Sequence, residues 1–388
     1  MPFTPLETLA GGALLHLSTS SLLSATGRVF GISGVLDGAL LGDGAGWRRA
    51  LVAGLVAGPL VAAATGLSAI AAVPSSGAAL WAELGLARLA AAGLLVGFGS
   101  RLGSGCTSGH FLCGASRLAP RSLLATAVFF SAAVVTARVL PAPIGELPGV
   151  DASAAVFPAW WHVPALAALV AGVAWANARV TAAVLAAGDG ESKPAPPEKT
   201  YTATQLAPYA LSGLTFSLGL ILSGMVSPLK VIGFLRFPPP LSQWDPSLAL
   251  VFLGGVVPNA VHWASVVRAP TLPWESWRVP SRTDIDWRLV AGSALFGVGW
   301  GLAGVCPGPA VVAGGQLSLN LLSAVYAEGT DALFGADGRA LLGWAAFADL
   351  LVIGMAAAKG LDSVLAALGP HVHPKRSDER EADPKADH

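Results

Sequence analysis

Several stretches of this sequence run longer without a charged side chain than any water-soluble element needs. Among them are Ala50–Ala82 for 33 residues, Pro246–Val267 for 22 and Leu289–Ala327 for 39. A helix crosses the hydrocarbon core of a bilayer in about 20 residues, and a charge at mid-bilayer costs roughly 2.5–3.5 kcal/mol on insertion scales. Such runs specify membrane-spanning helices. Composition agrees: 54% of residues are hydrophobic and 12% charged, about half the charged share of a soluble domain, which argues against a soluble enzyme. Lys and Arg number 23 against 23 Asp and Glu, so no basic excess is available to neutralise phosphates, and nucleic acid is set aside as a partner. The lipid bilayer is the partner implied.

The apolar pattern predicts an all-α, polytopic membrane protein with nine spans. They fall near Leu6–Ser24, Ala50–Val73, Leu84–Ser100, Ser122–Ala137, Trp160–Ala186, Gln205–Val226, Pro246–Val267, Arg288–Ala303 and Ala340–Ala358, with short re-entrant helices between some of them. Residues 1–27 hold no Lys or Arg and lack the basic start of a cleavable signal, so the first span is expected to stay. Basic residues gather in alternate loops: Arg28, Arg48 and Arg49; Arg101, Arg117 and Arg121; Lys193 and Lys199; Arg268, Arg278 and Arg282; and the tail. The loops Pro74–Glu83 and Pro141–Asp151 carry acids only. The positive-inside rule then puts the N-terminus outside and the C-terminus in the cytoplasm of a plasma (inner) membrane, with Lys230 and Arg236 as exceptions. Four regions are expected: a first membrane repeat plus connecting span (1–187), a Pro-rich cytoplasmic linker (188–204), a second, inverted membrane repeat (205–360) and a polar tail (361–388), disordered from His371.

An offset of 200 aligns Arg88-Leu89 with Arg288-Leu289, Gly97 with Gly297, Gly99 with Gly299, Leu102 with Leu302 and Cys106 with Cys306. Gly54 and Gly254 align too, and Arg28-Val29-Phe30-Gly31 echoes Lys230-Val231-Ile232-Gly233 at an offset of 202. Duplication is the better reading of an ungapped run ending in two of three cysteines. The intervening fifth span starts the second copy from the opposite side, so the repeats are inverted, a recurrent transporter design. Gly97–His110 and Gly297–Pro309 are too rich in Gly and Pro for continuous helix. They read as re-entrant, pore-lining elements, since irregular backbone at membrane depth needs protein or a watery cavity around it. Pro307 or Pro309 suits the first turn of a half-helix, and Thr107 or Ser108 its cap. Half-helix N-termini favour a small anion.

The run Gly105-Cys106-Thr107-Ser108-Gly109-His110, then Cys113-Gly114-Ala115-Ser116-Arg117-Leu118-Ala119-Pro120-Arg121-Ser122, together with Val305-Cys306-Pro307-Gly308-Pro309, closely resembles the YeeE/YedE sulphur-transport family. The resemblance extends over roughly residues 6 to 360. It implies uptake of thiosulfate or a related sulphur compound through an hourglass-shaped inverted repeat whose cysteines contact the substrate, and Cys106 and Cys306 fall on the motif positions. Some members carry a further cysteine in the first repeat's early loop. Here Ser18-Thr19-Ser20-Ser21 occupies it, which leaves a three-cysteine relay without its first member.

Thiosulfate is a dianion, and a thiolate would repel it: two unit charges about 4 Å apart at an effective dielectric near 20 cost roughly 4 kcal/mol. Protonated thiols are weak donors, able to orient sulphur without a deep well, as passage requires. Candidate pore residues are therefore Cys106, Cys306, Gly105, Thr107, Ser108, Pro307 and Gly308, joined by His110, Cys113 and Arg101. His110 either contacts substrate or fixes its loop. Cys113 either joins the path or packs a helix, and Arg101 either gathers anions at the cytoplasmic mouth or marks the inside. Cys106, His110 and Cys113 lack a nearby acid or fourth ligand, so no metal is expected. Asp349, midway through the last span, is a candidate for a coupling proton or for pairing with Arg88 or Arg288. Asn259 and His262 follow Pro258 in a kinked span, and Trp160, Trp161, Trp274 and Trp277 read as interface anchors.

The leading expectation is a thiosulfate transporter or channel, not an enzyme, needing no cofactor. Alternatives are passage of another sulphur or selenium species, a membrane sulphurtransferase or redox protein using a cysteine persulfide, and a scaffold docking a soluble sulphur-carrier protein through linker or tail. No GxxxxGK[ST] motif supplies nucleotide coupling.

Overall fold

A computed structural model of the chain describes residues 3–67, 81, 83–140, 161–187, 201–237, 244–266 and 268–367. Among them every regular element is helical. The loops at 74–80 and 141–151, Trp160, Lys193 and Lys199 of the linker, and the tail from His371 lie outside the described residues.

The first half contains α1 (Pro5–Thr26), the short α2 (Ile32–Leu40), α3 (Gly46–Ala64), α4 (Leu86–Leu102), a nine-residue π-helical segment (Thr107–Ala115) and α5 (Pro120–Val139). The connecting α6 (His162–Ala187) follows. The second half then offers α7 (Ala203–Ser223), the short α8 (Pro228–Leu235) and the span Pro246–Ser265, broken into three helical pieces of which the last is α9 (Val257–Ser265). It ends with α10 (Trp287–Ala303), α11 (Pro307–Glu328) and α12 (Ala336–Ala367). Seven stretches among the described residues are long and apolar enough to cross a membrane, or eight if α4 and the π-helical segment, bent by 44°, form one interrupted span.

Each of the nine expected spans overlaps a helix, with two differences. The half-helix expected to start at Pro307 or Pro309 is a 22-residue helix over residues 307–328. Pro307 and Pro309 both sit in its first turn, where a missing N–H leaves no intrahelical bond unmade. The last helix continues to Ala367, past the expected start of the tail at 361, because Leu361, Ser363, Val364, Leu365 and the alanines carry no helix breaker.

Glycine decides which helices meet closely. A Cβ on Gly97 of α4 would strike the Leu351 carbonyl of α12, and one on Gly297 of α10 would strike the Phe129 carbonyl of α5. Gly99 of α4 lies against Gly292 and Phe296 of α10, while Gly299 lies against Ala92 and Val96 of α4, so α4 and α10 run antiparallel. Gly54 of α3 faces Ala210 and Leu214 of α7; Gly254 faces Leu9 and Ala13 of α1. α1 and α7 are antiparallel too, joined where the Ser18 hydroxyl donates to the Ser212 carbonyl (2.8 Å) and the Ser212 hydroxyl to the Ser18 carbonyl (3.1 Å). Close backbone approach at small residues is how helices associate in lipid, where burial itself adds little drive. Aromatic stacks fill the space between: Phe129, Phe130, Phe296 and Trp300 on one side, Phe30 on Phe216 (4.2 Å) on the other.

The two basic exceptions differ in their surroundings. Lys230 is buried and donates to Thr4 Oγ1, and the Arg236 carbonyl accepts from Arg138 (3.2 Å).

Candidate functional site

α4 and α10 end in matching turns. Two residues before each cysteine the backbone enters the left-handed region, at Gly304 (φ 68°) after α10 and at Ser104 (φ 62°) after α4. Gly304 is required there, since a Cβ would lie 2.5 Å from the Pro228 carbonyl. Ser104 adopts the same conformation with a side chain, which costs about 1–2 kcal/mol. Each turn then extends at the cysteine and starts a helix: Cys106 precedes the π-helical segment and Cys306 precedes α11. The two openings match in detail, the Cys106 carbonyl accepting from His110 N–H (2.9 Å) and the Cys306 carbonyl from Ala310 N–H (3.0 Å).

These turns bring Cys106 and Cys306 to one small cavity of about 30 Å³, shared with Thr107, Ser108 and Gly308 and walled by Leu15, Ile32, Phe216, Leu220 and Met225. The contact crosses the halves: the Thr107 hydroxyl donates to Cys306 Sγ (3.4 Å). Cys106 Sγ lies 3.3 Å from Ser108 Oγ, which also accepts from Ile32 N–H (3.1 Å). Neither hydroxyl caps its helix, contrary to the expectation for Thr107 or Ser108; Cys106 holds the cap position with no side-chain bond. Pro307 is buried at the start of α11, and because Pro307 and Pro309 lack N–H groups, Gly308 alone of the first three residues carries a donor.

A wider vestibule of about 380 Å³ lies beside this cavity, lined by Phe30, Gly31, Gly105, Gly109, His110 and five arginines, Arg48, Arg101, Arg117, Arg121 and Arg282. Gly31 and Gly109 line the vestibule next to Ile32 and Ser108 of the smaller cavity, and a Cβ on either would come within 4.0 Å of the other's Cα. Four of the five arginines meet carboxylates, while Arg117 donates to the Cys113 carbonyl (3.0 Å). Arg101 pairs with Asp37 and approaches Asp362 (3.9 Å), Arg48 meets Asp43 (3.2 Å), and Arg121 and Arg282 share Asp284 and Asp286. The Arg282 guanidinium holds the Asp284 carboxyl below its ordinary value.

His110 bridges the Gly103 carbonyl (Nε2, 3.1 Å) and Ser122 (Nδ1, 3.1 Å). A carbonyl only accepts, so Nε2 carries the proton and Nδ1 accepts from the serine. This pins the turn leading to Cys106, and Gly105 has no room for a side chain because a Cβ would meet the His110 ring at 2.7 Å. Cys113 is elsewhere, lining a cavity of about 20 Å³ with Asn259, His262 and Trp263. Cys106, His110 and Cys113 therefore do not converge, and among the described residues no three His, Cys, Asp or Glu side chains are grouped to hold a metal. Asp349 faces outward from α12, while Arg288 pairs with Asp362 (3.0 Å) and Arg88 donates to the Leu302 (2.7 Å) and Leu140 (2.8 Å) carbonyls.

Sequence reasoning singled out Asn259 and His262 without their partners, and missed the cluster around Glu275. Asn259 Oδ1 accepts from Thr19 (3.1 Å) and contacts His16 Nδ1 (2.8 Å), while His262 Nε2 contacts Ser24 (3.0 Å), which ties the kinked span to α1. The fully buried Glu275 carboxylate takes hydrogen bonds from Tyr201 (2.8 Å), Tyr209 and Arg28 (3.4 Å), binding the 268–286 loop over the end of α1. Burial and that carboxylate push the Tyr201 phenol up to about 12. The one available signal was the pair Arg28 and Glu275, two charges bordering apolar segments.

A family of unknown function, DUF6691, matches residues 205–334. A protein of Xylella fastidiosa strain Temecula1 named "Probable transporter" is 41% identical over 122 residues, which cover 30% of this chain and 80% of the relative. A second "Probable transporter" of that strain is 42% identical over 130 residues, 33% of this chain and 90% of the relative. One from strain 9a5c is 43% identical over 102 residues, 26% and 68% respectively. No solved structure matches the chain.

Proposed function

This chain belongs to the family of those bacterial proteins named probable transporters, and on that premise we propose that it carries thiosulfate, or a closely similar sulphur oxyanion, across the membrane between its two halves. The observation that carries this reading is the meeting of Cys106 and Cys306 at one cavity, each delivered by an equivalent left-handed turn and helix start. The likeness to the YeeE/YedE sulphur-transport family rests on the same residues.

Inverted duplication is part of the proposal. It is supported by the shared element order of the halves, by the antiparallel α1–α7 and α4–α10 pairs, and by glycines 200 residues apart doing the same packing work. Relatives that align over most of their own length with a third of this chain fit an ancestral unit of half the size. The pattern of basic loops supports an inner-membrane protein with its N-terminus outside and C-terminus inside.

The path proposed runs from the vestibule past Gly31 and Gly109 to the cysteines. Four of the five vestibule arginines are paired with carboxylates and Arg117 is held by a carbonyl, which gives polar walls with only a small positive excess, so an anion is admitted and released. At the cysteines it meets neutral donors: S–H groups, the Thr107 and Ser108 hydroxyls and the Gly308 N–H at a helix start. Cys306 Sγ already accepts from Thr107, which leaves its S–H for the passing ion. A cavity of about 30 Å³ has room for about one water. Passage therefore requires Ile32, Phe216 and Leu220 to move apart, and the structure corresponds to a closed neck.

The test is a competition panel in liposomes holding the purified protein. Uptake of ³⁵S-thiosulfate should be suppressed by unlabelled thiosulfate and far less by sulfate, which offers oxygen alone. Equal suppression by sulfate, or no protein-dependent uptake, contradicts the proposal.

A further inference from the structure

We propose that the protein assembles with further copies of itself in the membrane through the outward faces of α6 and α12, Arg179 of one copy pairing with Asp349 of its neighbour. Asp349 lies ten residues from both Arg339 and Lys359, the charged residues flanking it on α12. At 1.5 Å per residue that is about 15 Å from each, the middle of the hydrocarbon layer. Its depth is fixed independently by its neighbours Phe347 and Leu351, whose carbonyls lie against Gly93 and Gly97 halfway along α4. The side chain is exposed, and among the described residues none pairs with it. A carboxylate facing lipid at that depth is strongly unfavourable, and charged groups in spanning segments are found covered or paired.

Arg179 presents the complementary case. It is exposed on α6, with Trp175 beneath its guanidinium at 5.8 Å. Two residues earlier Asn177 donates to Thr215 of α7 (3.3 Å), the neighbour of Phe216 in the cysteine cavity, so Arg179 also lies near mid-depth. Each face also carries a pair of small residues four apart, Ala168 and Gly172 on α6 and Ala356 and Gly360 on α12. Ala168, Gly172, Trp175 and Arg179 form one ridge, and Asp349, Ile353, Ala356 and Gly360 the other. A Cβ on Gly172 or Gly360 would meet nothing within 4 Å. Small residues four apart let helix backbones approach closely in lipid. Opposite charges at similar depth, each on a face of the same chain that carries a small-residue pair, select a second copy as the occupant, since each copy supplies what the other lacks.

The experiment uses full-length chains in native membranes. Differently tagged R179C and D349C copies are co-expressed and mildly oxidised. The expected result is a disulfide joining the two tags, absent when either variant is paired with wild type, whose own cysteines are buried. In lipid nanodiscs, subunit counting should show D349R reducing the oligomer at least tenfold and R179D/D349R restoring it. Gly172→Leu, which touches nothing within one chain, should also dissociate it and keeps the test informative if D349R misfolds. The proposal is overturned if wild-type copies count as monomers, if D349R and Gly172→Leu leave the oligomer intact, or if D349C crosslinks only to another protein.

Discussion

Replacing Cys306 by Asp puts a carboxylate where the account requires a neutral donor. The cavity is so small that an ion in contact with Thr107 and Gly308 stands about 4 Å from the side chain at 306. At an effective dielectric near 20, each unit of its charge is then repelled by roughly 4 kcal/mol, about a thousandfold in occupancy. Burial raises a carboxyl pKa, so the block should deepen as the group ionises. Expected in liposomes is thiosulfate uptake by Cys306→Asp at least a hundredfold below wild type at pH 8 and partly recovered at pH 6. Cys306→Ser, still a donor, should keep uptake within about tenfold at both. Size-exclusion profiles and melting temperatures separate a block from misfolding. If the Asp variant carries thiosulfate as well as the Ser variant at pH 8, no ion passes this point and the path is wrong.

Glu275→Gln removes the charge from a buried carboxylate that gathers Arg28, Tyr201 and Tyr209, and should destabilise the protein by about 3–5 kcal/mol, read as a fall in melting temperature in detergent. Gly97→Ala and Gly297→Ala should each cost about 1–3 kcal/mol or more by forcing α4 from α12 and α10 from α5. The Asp284 carboxyl is held low by Arg282, so its contribution to anchoring the loop is complete above the ordinary carboxylate value near 4 and is lost as pH falls below it. Amide exchange of residues 278–286, corrected for intrinsic rates, should stay flat from pH 7 to 5 and rise only under pH 4, and Asp284→Asn should abolish that dependence.

Charge-free runs were enough to locate the helices, because the cost of a charge in lipid acts on sequence directly. They gave 307–328 too little length, a half-helix in place of a 22-residue one, although its start at Pro307 and Pro309 was legible from the tolerance of a first turn for proline. The offset of 200 pointed to Cys106 and Cys306 as equivalent, since duplicated glycines leave a register that can be counted. It carried no depth, so it left open whether Cys113, seven residues on, joins the path or packs a helix; the side chain lines a different cavity with Asn259 and Trp263. The vestibule was illegible: it forms where α2 and the Val29–Gly31 segment fold back over His110 and Arg101, a tertiary closure with no periodicity to announce it. The partners of Arg101 were hidden for the same reason, Asp37 and Asp362 lying far from it in sequence.

The central claim, that the ion passes between Cys106 and Cys306, is tested most directly by the rate at which a small thiol-reactive methanethiosulfonate modifies Cys306, read by peptide mass. Saturating thiosulfate should slow that modification severalfold, and the modified protein should no longer take up thiosulfate. Modification at an unchanged rate, followed by undiminished uptake, would contradict it.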